Sequence, residues 1–199
     1  MPLVPFVGVN HHGSKVLFAC GILSQETIES YVWILRIFSD VMVQKHPVSV
    51  ITDEDLAMQR AIRLVWLNSS HRLCIWHIEQ NIVRNLHDDG VKADFRYFLY
   101  DCCSIEEIER KWLEFLDKHN VTDKESWLYQ MYERRKIWCA AYHADKCYLG
   151  LRSNQRSESL NSRLQVNLDR KMILFELVEH FDHYLSQLRS NEVNLGFEA

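Results

Sequence analysis

Residues 48–81, VSVITDEDLAMQRAIRLVWLNSSHRLCIWHIEQN, decide the fold. VSVI is a short, mostly β-branched run with the composition of a buried strand. The pattern changes at Thr52-Asp53. Beyond it Leu56, Met58, Ala61, Ile62 and Val65 keep helical spacing. Thr52 is the expected cap of that helix, with Glu54 and Asp55 near its positive N-terminal end. After the polar loop at Asn68-Ser69-Ser70, HRLCIW is a second short strand running into the helix IWHIEQNIVRNL. The stretch therefore predicts strand, acidic turn, helix, strand, helix. Asp53 falls at the C-terminal end of a strand, where open α/β sheets gather ligands and catalytic groups. The same residue also has a plain structural reading as a helix-start carboxylate.

Upstream, Val4 to Asn10 and Lys15 to Leu23 are strand candidates separated by the polar turn His11-His12-Gly13-Ser14. Together they predict an antiparallel hairpin in which Gly13 takes a positive φ. Ser24 is the expected cap of the next helix. Tyr31, Ile34, Leu35, Phe38, Val41 and Met42 give its apolar stripe, and Pro47 ends it. Downstream, Val91 to Tyr148 carries successive helical patterns and no strand signal, which predicts an all-helical insertion. Its many aromatics read as core. A last amphipathic helix is marked by Phe175, Leu177, Val178, Phe181 and Leu185. The predicted organisation is an α/β part at 1–87, a helical insertion at 88–152, C-terminal helices completing the core at 153–190, and a tail at 191–199.

The chain of 199 residues is 47% hydrophobic and 25% charged, enough for a packed core. Its net charge of −4 argues against a protein that coats nucleic acid non-specifically. The six cysteines show no CxxC pair and read as free thiols of a reducing compartment. Neither a secretory signal nor an apolar run of membrane-spanning length is present, so no membrane partner is expected.

A hairpin, helix, strand, acidic residue, helix, strand, helical insertion and late glutamate follow the order of an RNase H-like domain. Such domains place carboxylates around paired Mg²⁺ ions, because a hard cation wants oxygen ligands and two metals clamp the attacking and leaving oxygens. Five segments sharpen this reading: PFVGVNHHGSKVLFACGIL, ESYVWIL, ITDEDLAM, HRLCIWHIEQN and NQRSESLN. In this order they resemble the plant FAR-RED IMPAIRED RESPONSE family, transcription regulators derived from Mutator-like transposases. The resemblance covers nearly the whole chain.

The resemblance implies an RNase H-like fold of the DDE transposase type. It puts the ancestral catalytic carboxylates on Asp53, in ITDEDLAM, and Glu158, in NQRSESLN. Cys74 and His77 match the family's CxxH element. The first catalytic aspartate of such enzymes lies on a strand upstream of the segment matching MPLVPFVGVN. The chain is thus expected to lack that strand, as a fragment or a truncated product, and to be catalytically inactive. The alternative is a metal-dependent transposase or nuclease using Asp53 and Glu158, with Mg²⁺ as cofactor. No cofactor is otherwise expected in this chain; the family's zinc belongs to fingers outside it. The resemblance further implies a nuclear location, DNA as a partner mainly through regions outside these residues, and association with other family members or transcription factors as homo- or heterodimers.

Further candidates come from the residues themselves. His71, Cys74 and His77 form an HxxCxxH, a weak zinc pattern that lacks a fourth ligand at a familiar spacing. Arg152, Arg156 and Arg163, with Arg170 and Lys171, cluster around the late helix as candidate phosphate contacts. Arg134, Arg135 and Lys136 form a second basic run on the insertion. Exposed helix faces balanced by acids are the bland reading of both.

Overall fold

The computed structural model of the chain describes residues 2–10, 13, 15–101, 103–149 and 151, together with 175, 176, 179, 182, 183, 185–187 and 190. Two compact units emerge, one from residues 1–26 and 155–199, the other from residues 27–154.

In the first unit, β1 (Leu3–Val9) pairs antiparallel with β2 (Lys15–Ile22), from Leu3 opposite Ile22 to Val9 opposite Lys15. The register shifts between Phe6 and Val7. Gly13 has φ 71° and donates to the Asn10 carbonyl at 3.0 Å, the positive φ its position in the turn predicts. The described residues between 175 and 190 are helical.

The second unit opens with α1 (Ile28–Val41), then β3 (Ser49–Thr52), α2 (Leu56–Val65), β4 (Ser70–Leu73) and α3 (Ile75–Asn85). β3 and β4 are parallel, with Ser49 opposite Ser70 and Thr52 opposite Leu73, so β3–α2–β4 is a βαβ unit. α1 packs on α2. Trp66 Nε1 donates to the buried Ser39 Oγ at 2.8 Å, and that hydroxyl donates on to the Leu35 carbonyl at 2.9 Å.

Two caps differ from expectation. α1 is capped by Thr27, whose Oγ1 accepts from Ser30 N at 3.3 Å, three residues beyond Ser24. α2 is capped by Asp55, whose carboxylate accepts from Met58 N at 2.6 Å. Thr52 is unavailable to cap α2 because it is still part of β3, and its carbonyl accepts from Cys74 N at 2.7 Å.

The remaining described elements of this unit are helical: α4 (Asp89–Tyr100), α5 (Ile105–Lys118), α6 (Trp127–Glu133) and the 3₁₀ turns Arg135–Ile137 and Ala140–His143. Asp88, Ser104 and Ser126 cap α4, α5 and α6 through their side chains. These helices do not enclose a separate core. One buried cluster runs from Leu73 through Ile75, Ile78 and Ile82 of α3 to Phe95, Phe98, Trp112, Phe115, Met131 and Trp138. Phe95 sits at its centre, with the rings of Trp112, Trp127 and Trp138 at 5.9, 5.4 and 5.3 Å. Each fully buried large apolar side chain there contributes about 1.5–3 kcal/mol. The helical segment thereby depends on the strand and helix that follow the acidic turn.

Candidate functional site

β3 delivers the chain to the acidic turn. Its last residue, Thr52, is fixed on two sides. The carbonyl meets Cys74 at the start of α3, and Oγ1 lies 2.8 Å from His71 Nε2 on β4. The next three residues are all acidic, and the fold gives each a different task. Asp53 is exposed, and its Oδ1 accepts from Asp55 N at 3.2 Å. Asp55 caps α2. Glu54 turns inward. Its Oε1 accepts from Asn81 Nδ2 at 2.8 Å, its Oε2 lies 3.3 Å from Arg134 Nη2, and its carbonyl accepts from Gln59 Nε2 at 3.1 Å.

The other sequence-derived candidates fall into three groups. Cys74 is fully buried at the N-cap of α3, where it acts as core, and its backbone N–H closes onto β3. His77 lies half-buried one turn along α3, edge-on to Trp76 at 5.0 Å. His71 is directed to Thr52, so the HxxCxxH spreads over strand, cap and helix. Of the basic run on the insertion, Arg134 is held by Glu54 and Arg135 by Glu109 at 2.6 Å, leaving Lys136 exposed. Two of its three charges are consumed by ion pairs. Glu158, Arg152, Arg156 and Arg163 lie outside the described residues.

Burial drives the titration of the histidines around β4. His71 is pushed down to about 4 by burial, with Arg63 and His143 adding to it. His143 is also lowered to about 4, by burial and then by Arg72. His143 Nδ1 lies 3.1 Å from Tyr148 Oη, which in turn lies 2.8 Å from Ser70 Oγ. This neutral, buried chain ties the end of the helical segment to the start of β4.

The turn itself offers one free carboxylate, Asp53, toward the Mg²⁺ that the RNase H resemblance implies, and the partner the resemblance gives it, Glu158, lies outside the described residues. Such a cation needs several free oxygen ligands. Among the described residues no group of three or more His, Cys, Asp or Glu is arranged to hold a metal. Within the turn, Asp55 is committed to the helix cap and Glu54 to a guanidinium and an amide, so one solvent-facing carboxylate remains.

Sequence reasoning located Asp53 but missed Glu54, Asn81 and Arg134 as the partners that shape the turn. Asn81 lies within HRLCIWHIEQN, and its place on the second turn of α3, facing back to β3, is a signal that helical spacing carries. Arg134 gives no such signal, since it is 80 positions from Glu54.

Comparison with known proteins agrees with the motif reading. Residues 1–81 match the MULE transposase domain. Protein FAR1-RELATED SEQUENCE 4 of Arabidopsis thaliana is 33% identical over the whole chain, which spans 28% of that protein. Protein FAR1-RELATED SEQUENCE 5 of the same plant is 31% identical over the whole chain, which spans 26% of it. Protein FAR-RED IMPAIRED RESPONSE 1 is 25% identical, again over the whole chain, which spans 24% of that protein. The chain thus spans about a quarter of the length of these curated relatives.

Proposed function

The chain is a relative of the plant FAR-RED IMPAIRED RESPONSE proteins with a MULE transposase domain match in residues 1–81, and from that premise we propose that it is a domesticated Mutator-like transposase domain of a transcription regulator. In this reading it adopts an RNase H-like arrangement that lacks phosphoryl-transfer activity. It acts in the nucleus by supporting protein association and auxiliary DNA contact. The family resemblance supplies the regulatory context. The non-catalytic reading rests on the family resemblance; within the acidic turn Arg134 and Asn81 take Glu54 and the start of α2 takes Asp55, so Asp53 alone is left as a candidate ligand there. A phosphoryl-transfer site needs its carboxylates free for hard cations.

Auxiliary DNA contact is assigned to Arg152, Arg156 and Arg163, and the bulk of DNA binding to parts of the whole protein outside this chain. Association partners are other family members or transcription factors. No described helix is long and apolar enough to cross a membrane.

One observation favours a second reading, a metal-dependent transposase or nuclease using Asp53 and Glu158. Asp53 is exposed just past the C-terminal end of β3, where an ancestral ligand belongs. One assay separates the two. The chain is incubated with Mg²⁺ or Mn²⁺ and Mutator-type transposon-end DNA, beside Asp53→Asn and Glu158→Gln. No cleavage by any of the three is the expected outcome. Cleavage by the parent chain that both substitutions abolish establishes the enzyme instead.

A further inference from the structure

α1 is apolar on more than one side. Tyr31, Ile34, Leu35 and Ser39 are buried, as its packing on α2 requires. On its outward side Trp33, Ile37 and Val41 are 57%, 46% and 71% exposed. These three stand four residues apart and so form one ridge along the helix. A surface helix ordinarily turns polar and charged residues to water. A tryptophan held more than half exposed in an apolar ridge is the residue type that most often anchors a protein interface.

The remaining exposed residues of α1 are charged: Glu29, Arg36 and Asp40. At 3.6 residues per turn they lie within about 40° of one another, all on one flank of the ridge. The other flank carries Ile34 and Phe38. This one-sided placement decides what suits the ridge. Antiparallel helices bring like flanks together. A second copy running antiparallel about a twofold axis at Ile37 therefore sets Trp33 against the second copy's Val41 and Arg36 against its Asp40, with an axial offset of about 3 Å for the charged pair. The symmetry repeats both contacts. A parallel pair would instead set the charged flank against Ile34 and Phe38. Arg36 is available for such a contact, since its side chain makes no ion pair among the described residues, and Asp40 accepts from the neutral Gln44 amide.

We propose that the outward face of α1 is a homodimer interface, in which Trp33, Ile37 and Val41 of two antiparallel copies pack about a twofold axis and Arg36 pairs with Asp40 across it. The proposal rests on the protein-association part of the reading above and names the surface and the partner. α1 has 14 residues, a length of about 21 Å, so the interface is small and the dimer forms at micromolar chain concentration.

Sedimentation velocity of the chain from about 1 to 100 µM tests it, with circular dichroism to check that each variant is folded. Parent, Trp33→Ala, Arg36→Glu, Asp40→Arg and an equimolar mixture of the last two are compared. The parent should dimerise. Trp33→Ala should weaken the dimer at least about tenfold, and reports on the ridge independently of the charges. Each charge reversal sets two like-charged pairs across the axis and should also weaken it at least about tenfold. In the mixture each copy supplies the charge that the other has lost, so dimerisation should return to within about threefold of the parent. A monomeric parent leaves the ridge to a different chain or to another part of the whole protein, and overturns the proposal. Self-association that Trp33→Ala does not weaken also overturns it, as does a mixture that associates no better than its components. These outcomes leave the non-catalytic reading standing, because the cleavage assay decides that reading by itself.

Discussion

Arg135 Nε lies 2.6 Å from Glu109 Oε1, and the same guanidinium covers the Tyr132 ring at 3.9 Å. Glu109 also accepts from Tyr132 Oη at 2.5 Å and Tyr142 Oη at 2.6 Å. One carboxylate on α5 thus gathers three donors, one from α6 and two from the segment after it. Burial alone would raise the Glu109 carboxyl. The hydrogen bonds from Arg135, Tyr132 and Tyr142 overrule it and bring it down to about 2. The folded state therefore holds this proton less readily than the unfolded chain, whose ordinary value is 4.5. The stabilisation is complete above that value and is lost as pH falls from there towards about 2. Glu109→Gln should cost about 2 kcal/mol near neutrality. It should also flatten the acid limb of stability against pH, which urea titrations at stepped pH would read. An acid limb unchanged by the substitution would exclude Glu109 as its source.

The histidines act at higher pH. His143 faces Tyr148, Arg72 and Asp145, and His71 faces Thr52, Arg63 and His143. Both are held near 4 against an ordinary value of 6.5. The unfolded chain binds their protons first, so stability is greatest above 6.5 and falls as pH drops through the window down to about 4. His143→Gln keeps a polar group beside Tyr148 and removes one of the two protons. The slope of stability against pH between 6.5 and 4 should fall by roughly half in that variant. Melting temperatures across that window check it; a slope equal to that of the parent would refute the assignment.

The hairpin and the strand–turn–helix–strand–helix order were legible because both rest on local periodicity. Gly13 and Asp53 were placed correctly for the same reason. Caps were less legible. Thr52, Asp53 and Asp55 are all cap-capable residues within one turn, and the choice among them is made by pairing: Thr52 opposite Leu73 keeps it in the strand, so the helix starts later. The end of α1 carried no glycine signal. Val43 and Gln44 adopt φ of 53° and 59°, a left-handed turn that non-glycine residues enter at a cost. The Glu54–Arg134 pair was invisible, because nothing local to either residue encodes a contact made only when α6 packs over the core. The division of the chain into an α/β part and an insertion also concealed their common core. Trp112 and Ile78 belong to one cluster although each lies in a different predicted segment.

Ser39 offers a test of how α1 is held. Its hydroxyl accepts from Trp66 Nε1 and donates to the Leu35 carbonyl, and the residue is buried. Ser39→Ala removes the acceptor and leaves the indole N–H buried without it, at a cost of about 1–3 kcal/mol. Trp66→Phe in the same background removes the stranded donor, so the double variant should lose less than the two single losses added together. Chemical denaturation of the four chains measures that coupling. Strict additivity would show that the two side chains do not act as a pair.

The acidic turn supplies the sharpest contrast, because neighbouring carboxylates should respond unequally. Asp55 caps α2 through Met58 N, and Asp55→Ala should cost about 1 kcal/mol. Glu54→Gln keeps the Asn81 contact but strips the charge from the partner of Arg134, a shielded guanidinium, and should cost about 1–3 kcal/mol. Asp53 is exposed and its bond to Asp55 N is one that an asparagine oxygen also makes. Asp53→Asn should therefore change stability by less than about 0.5 kcal/mol. The three values, measured by urea denaturation at one pH, rank the turn by what its carboxylates hold. Asp53→Asn as costly as Asp55→Ala would mean that Asp53 is built into the fold, and the proposal that it is a solvent-facing remnant of a ligand set would have to be given up.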